Sequence, residues 1–202
     1  MNGRKLSIIY ALLCIVGVVL LGLPTVGFAA ALFSFSFVGG LVLWIATTYR
    51  TPIDPSKIIV PYLLTVVFFM VEVYEEYLTN IASVMTQLSG FQVLERDFLT
   101  VTAFLAPIAW ITGALALMKR WHFGYFLASA FLFDMMFANV SHFAFPFLMD
   151  GTFHYVSGIY TAILPTIAAW YTFYILLREI RSTRISSEPK PQDSSRNNRG
   201  VS

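Results

Sequence analysis

The segment VVFFMVEVYEEY, residues 66–77, decides how this chain is interpreted, because it places three carboxylates at the end of an apolar stretch long enough to enter a bilayer. At about 100° per residue, Glu72, Glu75 and Glu76 fall within one helical face roughly 100° wide. An acid at the centre of a spanning helix costs about 2.5 to 3.5 kcal/mol, so it usually faces the interior of a helix bundle. We therefore predict a polar pocket here, although Glu75 and Glu76 would also suit a solvated cap at the membrane edge.

The composition predicts an integral membrane protein in contact with the lipid bilayer. Hydrophobic residues make up 57% of the chain and charged residues 12%, and the mean hydropathy is +0.72. Globular domains carry about 25% charged residues. The net charge of +2 and the lack of a basic stripe argue against a nucleic-acid partner. The single cysteine, Cys14, lies in an apolar segment, where a packing role is expected.

The apolar segments predict an all-α, polytopic bundle of about six transmembrane helices. Residues 8–49 would form a helix of about 60 Å, which is twice the hydrocarbon thickness of about 30 Å, so a turn is placed at residues 22–25. An alternative for the first segment is a cleavable signal peptide. Residues 79–97 are expected to form a short interfacial helix or a lid. The remaining spans are predicted at residues 58–77, 98–118, 123–148 and 155–177.

The basic residues predict the orientation of this bundle. In a six-span arrangement every Lys and Arg except Arg96 falls on the same side as the two termini. Because basic residues concentrate in cytoplasmic loops, both termini are predicted to be cytoplasmic. Residues 1–183 are expected to form a single transmembrane domain, and residues 184–202 a disordered cytoplasmic tail.

This orientation brings several polar residues to the outer half of the bundle. On the fifth span Asn139 and His142 are neighbours, whereas Asp134 lies more than two turns deeper and would also suit a separate structural acid. Tyr160 opens the sixth span at the outer level. The candidate catalytic residues are Glu72, Glu75, Glu76 and His142. The candidate substrate-binding residues are Asn139, Tyr160, Trp110 and Asp134.

Three short segments resemble a known family. They are EVYEEY at residues 72–77, NVSH at 139–142 and YVSGIYTA at 155–162. Together they resemble the HXXEE membrane proteins, named for a His-x-x-Glu-Glu motif followed downstream by a second His. Glu75, Glu76 and His142 correspond by position, but Glu72 stands where the family has its first His. The layout is also similar to that of the sterol isomerase and sigma-2 receptor (EXPERA) superfamily, whose members place acids and a His in a lipid-accessible pocket.

The pocket predicts a proton donor beside a proton acceptor, because crowded and buried carboxyl groups cannot all ionise. The preferred hypothesis is an intramembrane isomerase or cyclase acting on a lipid, sterol or isoprenoid. His142 would relay the proton, Asn139 and Tyr160 would orient the substrate, and an aromatic face such as Trp110 would stabilise a carbocation.

Two other classes of function fit the same residues. The main alternative is a non-catalytic protein that binds a lipid or small molecule, or that assembles a membrane complex, and a channel or transporter is the third. The acids with His142 and His154 would suit a divalent metal. However, no ExxH or HxxxH pair lies on one helix, so neither a metal nor another cofactor is expected.

Overall fold

The computed structural model describes residues 3–26 and 28–187, and within them it contains helices and no strand. This confirms the predicted all-α class for the described part of the chain. The α-helices are α1 (Gly3–Val26), α2 (Phe28–Ala46), α3 (Ile59–Leu78), α4 (Ile81–Ser89), α5 (Glu95–Leu99), α6 (Ala106–Met118), α7 (His122–Phe133), α8 (Ser141–Asp150) and α9 (Ile163–Ser187).

Two of the long helical stretches contain a π-helical segment. Thr100–Leu105 joins α5 to α6, and Asp134–Ala138 follows α7 and precedes α8. Within the described residues, three stretches are long and apolar enough to cross a membrane: Gly3–Leu23, Glu95–Met118 and His122–Asp150. These stretches support the predicted membrane environment.

Helix α7 is the centre of the bundle, and its residues 124–132 are all buried. It packs against α2 on one side and α6 on the other. Glycines allow this close approach. A Cβ at Gly40 of α2 would lie 2.2 Å from the Cα of Ala130, and one at Gly124 would lie 2.3 Å from the backbone nitrogen of Leu117. Small residues of this kind let helix backbones meet in membranes, where apolar side chains gain nothing by leaving lipid.

The contacts at the two ends show that the helices alternate in direction. At one end Arg4 Nε donates to His122 Nε2 at 3.4 Å, and Arg120 pairs with Asp54 at 3.1 Å. The beginning of α1, the loop before α3 and the beginning of α7 therefore lie together. At the opposite end the hydroxyls of Thr79 and Ser157 lie 2.6 Å apart, which places the end of α3 beside the segment before α9.

Three predicted boundaries differ from those observed. The turn expected at residues 22–25 is wrong, because α1 continues through Pro24 to Val26 and α2 begins at Phe28. The last long helix begins at Ile163 instead of residue 155, because the chain first turns through Gly158, whose φ is +85°. Helix α9 also extends past the expected boundary at residue 183 to Ser187. The rest of the predicted disordered tail, residues 188–202, lies outside the described residues.

Candidate functional site

Two acids of α3 and one histidine of α8 meet inside the bundle. Glu72 and Glu76 are separated by one helical turn, and their exposed fractions are 2% and 7%. The Nε2 atom of His142 lies 3.5 Å from Glu72 Oε1 and 3.3 Å from Glu76 Oε1. We call Glu72, Glu76 and His142 the Glu–Glu–His cluster. The sequence predicted that His142 would share a pocket with at least one of the three acids of α3, and the structure places it beside two of them.

The cluster forms because the two acids occupy core positions of α3. The buried residues of this helix follow one stripe at helical spacing, and the last two turns of the stripe carry carboxylates where the earlier turns carry apolar or hydroxyl side chains. The stripe faces α9 and α6. Its members are Tyr62, Thr65, Val66, Phe69, Glu72, Val73 and Glu76.

A backbone carbonyl fixes the orientation of the imidazole. The Nδ1 atom of His142 lies 3.0 Å from the carbonyl oxygen of Ser157. Because a carbonyl oxygen can only accept a hydrogen bond, Nδ1 carries the hydrogen. In the neutral ring, Nε2 then presents a lone pair toward Glu72 and Glu76. At 3.5 and 3.3 Å the two carboxylate oxygens repel this lone pair, so a proton or a cation among these atoms would stabilise the arrangement.

Asn139 holds the second oxygen of Glu72. Its Nδ2 donates to Glu72 Oε2 at 3.1 Å and to the carbonyl oxygen of Ala162 at 3.0 Å. Glu72 Oε1 is also buried, and within the part of the chain that the structure describes it has no hydrogen-bond partner. Asn139 therefore orients the Glu72 carboxylate through Oε2, and Oε1 lies beside His142 Nε2.

The π-helical segment Asp134–Ala138 aligns residues that a regular α-helix would separate. The backbone nitrogen of Asn139 donates to the carbonyl oxygen of Asp134 at 3.1 Å, five residues back instead of four. As a result Asp134 lines the same cavity as Asn139 and His142. Its Oδ1 accepts a hydrogen bond from the hydroxyl of Ser36 on α2 at 2.6 Å.

A cavity of about 70 Å³ adjoins the cluster. Its aromatic lining comes from Phe33, Phe69 and Phe98, and its polar lining includes Thr102 and Asp134. A second and mainly apolar cavity of about 740 Å³ lies between α1, α2 and α6, with Arg96 and Asp97 among its lining residues. Phe33 lines both cavities, so the space beside the acid cluster and the space of ligand size share this side chain.

Glu75 does not face the cluster, so the expectation that all three acids share one functional face is wrong for this residue. Its Oε1 accepts a hydrogen bond from the Tyr155 hydroxyl at 2.6 Å, and its Oε2 accepts one from the backbone nitrogen of Thr161 at 2.8 Å. The physical reason is that Glu75 and Glu76 are neighbours in sequence and point about 100° apart.

Two predicted substrate-binding residues also lie away from the cluster. Tyr160 is 72% exposed and stacks on Tyr155, with ring centroids 4.9 Å apart. Trp110 is buried against Phe37 and Phe131, and it lines the larger cavity but not the smaller one. The aromatic side chains that line the cavity beside the acids are instead Phe33, Phe69 and Phe98.

The sequence did not reveal the partners that position these groups. Ser36 and Phe33 lie in the apolar run of α2, where nothing in the spacing distinguishes a residue that faces α7 from one that faces lipid. Ser157 acts through its backbone carbonyl, which leaves no pattern in the sequence. A Ser between aromatic residues in a spanning helix is the one weak signal for Ser36.

Comparison with known proteins found no match: no family model matches the chain, and neither does any curated protein or solved structure. The function must therefore be inferred from the geometry and chemistry of the Glu–Glu–His cluster and the two cavities.

Proposed function

We propose that this is a multi-pass membrane protein whose Glu–Glu–His cluster performs acid–base chemistry on a lipid, with isomerisation or cyclisation of a sterol or isoprenoid as the reaction. One observation carries the proposal: His142 Nε2 lies within 3.5 Å of carboxylate oxygens of both Glu72 and Glu76. An imidazole between two carboxyl groups can take a proton from one and deliver it to the other.

The steps of an isomerisation follow from this arrangement. A protonated carboxyl group of the cluster donates its proton to one carbon of a substrate double bond, and the π electrons form the new C–H bond. The second carboxylate removes a proton from the carbon beside the cation, so that the double bond reforms one position along. His142 returns the proton to the first carboxyl group. The faces of Phe33, Phe69 and Phe98 would stabilise the intermediate cation.

The two cavities suggest how a long substrate would be held. The 70 Å³ cavity has room for the reacting carbons only, whereas the 740 Å³ cavity is large enough for an apolar chain. Phe33 lies between them, so rotation of its side chain would join the two spaces. A lipid would then react with its tail between α1, α2 and α6.

The proposed topology has six spans with both termini cytoplasmic. It is supported by the alternating helix directions and by the position of the basic residues. Arg4 and Arg120 make contacts at the end of the bundle where α1, α3 and α7 begin, whereas Arg96 lies at the start of α5, which enters the bundle from the opposite end. Positive charge concentrated at one end favours the cytoplasm for that end.

The resemblance to the HXXEE proteins is consistent with a site at this position. Of the residues that correspond by position, Glu76 and His142 belong to the cluster and Glu75 does not. Glu72 occupies the position of the family's first His and supplies a carboxylate to the cluster in place of an imidazole.

Solvent deuterium provides a test of the proposed reaction. The purified protein is incubated in D₂O with a total lipid extract of its host membrane, and the lipids are analysed by mass spectrometry. Because the donated proton comes from solvent, an isomerised lipid gains a deuterium atom at carbon. We expect labelling with the wild-type protein and none with Glu76→Gln. Equal labelling by both proteins, or no labelling by either, would reject the proposal.

A non-catalytic lipid-binding protein is the second candidate, and the apolar cavity of about 740 Å³ favours it. In that case one class of lipid would co-purify in mild detergent with both the wild-type protein and Glu76→Gln, and no deuterium would enter any lipid.

A further inference from the structure

We propose that the Glu–Glu–His cluster binds a divalent transition-metal ion, of which Zn²⁺ is the best fit, through Glu72 Oε1, Glu76 Oε1 and His142 Nε2. The inference rests on the proposed function for its site; with the ion bound, the two carboxylates and Nε2 would be ligands, so proton transfer would no longer run through these atoms. It differs from the sequence-based expectation of a site without metal, because that expectation relied on pairs within one helix and the three ligands come from two.

The distances between the ligand atoms suit a tetrahedral ion. His142 Nε2 lies 3.5 Å from Glu72 Oε1 and 3.3 Å from Glu76 Oε1, and one ligand atom from each of the three residues lies within 4.8 Å of the others. Zinc bonds to imidazole nitrogen and carboxylate oxygen are about 2.1 Å long, which places neighbouring ligands of a tetrahedral site about 3.4 Å apart. The two distances from His142 Nε2 therefore match the spacing that Zn²⁺ requires.

The lone pairs of the cluster that lack a hydrogen-bond donor among the described residues also indicate a cation. His142 Nδ1 is committed to the carbonyl of Ser157, so the Nε2 lone pair is directed at the two carboxylates. Glu72 Oε1 is buried and, among the described residues, has no hydrogen-bond partner. Two carboxylates and a neutral imidazole carry a charge of −2, which a divalent cation cancels. Such cancellation is favoured where charge is remote from water.

The surroundings of the cluster resemble the outer shell of a metal site. Metal-binding histidines usually donate their second ring N–H to a carbonyl or carboxylate, and metal-binding carboxylates are hydrogen-bonded in turn. Here Ser157 supplies the carbonyl for His142, and Asn139 donates to the second oxygen of Glu72 at 3.1 Å. Ser157 and Asn139 are not ligands themselves, and they orient His142 and Glu72 in the absence of an ion.

The fourth coordination position would open into the smaller cavity. Three protein ligands and a water molecule are typical of catalytic zinc, whereas structural zinc has four protein ligands. The cavity of about 70 Å³ is large enough for water, which needs about 15 Å³. A metal-bound water there would take over the role of proton donor from the carboxyl group. The donor set of nitrogen and oxygen, without sulfur, suits Zn²⁺ better than Cu⁺.

Metal content is the first test. The full chain is purified in detergent without a polyhistidine tag, stripped with a chelator, reloaded with Zn²⁺ and analysed by elemental mass spectrometry. We expect about one Zn²⁺ per chain, and a loss of at least about tenfold in affinity in His142→Gln and Glu76→Gln. Glu75→Gln is the matched control, because this acid is adjacent in sequence but bonds to Tyr155 and Thr161, and it should keep the metal.

A spectrum of the wild-type protein provides a second test, which does not depend on whether the variants fold. Co²⁺ in the stripped protein should give the strong visible absorption of a four-coordinate site, and added Zn²⁺ should abolish it. A wild-type protein that takes up less than about half an equivalent, or that gives no such spectrum, would overturn the inference. So would retention of the metal by folded His142→Gln.

The two proposals can fail separately. Zinc binding without deuterium incorporation into lipid would support the metal site and reject the reaction. Deuterium incorporation by a protein that binds no metal would support the reaction and reject the metal site.

Discussion

At the scale of single residues, Gly158 determines how closely His142 can approach α3. Its φ of +85° lies in the left-handed region, which favours glycine. A Cβ at this position would lie 2.7 Å from two atoms of the His142 ring and 3.3 Å from Glu76 Cγ. The glycine therefore satisfies a backbone requirement and a packing requirement at once.

Gly158→Ala should lower stability and displace the imidazole. Gly151→Ala is the matched control, because Gly151 has a similar φ of +77° but open space around its Cβ. The control should cost about 1 kcal/mol from the backbone alone, and Gly158→Ala should cost more and also reduce Zn²⁺ uptake. Thermal unfolding in detergent and metal analysis measure both effects. If Gly158→Ala and Gly151→Ala lost the same stability and the same Zn²⁺ uptake, the His142 ring would have room to move away from the added Cβ.

Glu76 should be more important for function than Glu75 or Asp134. Glu76→Gln keeps the shape of the side chain but removes the exchangeable acid, so deuterium incorporation should be abolished while the protein remains folded. Asp134→Asn should have a mild effect, because Asp134 is held by Ser36 and does not belong to the cluster. An inactive Asp134→Asn beside an active Glu76→Gln would move the catalytic centre to the π-helical segment.

At the scale of secondary structure, the contact of α2 with the π-helical segment after α7 includes a buried hydrogen bond between side chains, from Ser36 to Asp134 at 2.6 Å. Ser36→Ala removes the donor and leaves a buried carboxyl oxygen without it, so the free energy of unfolding should fall by about 1 to 3 kcal/mol. Ser36 Oγ also lies 2.9 Å from the carbonyl oxygen of Leu32 in its own helix. Ser34→Ala is therefore the control, since its hydroxyl makes the equivalent contact within the helix, with the carbonyl oxygen of Ala30. Thermal unfolding of the two variants should differ clearly, and similar melting temperatures would contradict the assignment.

The helices were easier to predict than the contacts between them. Apolar length alone predicted the long helical stretches, and the spacing of Glu72 and Glu76 predicted that both would face the same way. The role of Glu75 was missed because its partners, Tyr155 and Thr161, belong to a turn whose geometry depends on Gly158. Asp134 was proposed as a substrate-binding residue although periodicity placed it more than two turns deeper than Asn139 and His142, since the π-helical turn that brings it to the cavity has no clear sequence signature.

At the scale of the whole molecule, the proposed six-span topology predicts which positions are accessible from outside. In a Cys14→Ala background, single cysteines at the exposed positions Gln87 and Thr152 should react with a membrane-impermeant reagent added to intact cells, and one at the exposed Ser56 should react only after the membrane is opened. Labelling of Ser56→Cys in intact cells, or protection of the other two, would reverse or reject the proposed orientation.

The π-helical segment Asp134–Ala138 makes the position of His142 sensitive to the deletion of a single residue. A π turn is an α-helical turn with one residue inserted, so deletion of a single residue from this segment would restore an ordinary helix. Everything after the deletion would then rotate by about 100° about the helix axis, and the ring of His142 would turn away from Glu72 and Glu76. Because the deleted protein would keep its apolar composition, it should still enter the membrane while it loses bound zinc. Deletion of one residue would thus leave insertion into the bilayer intact and prevent assembly of the cluster.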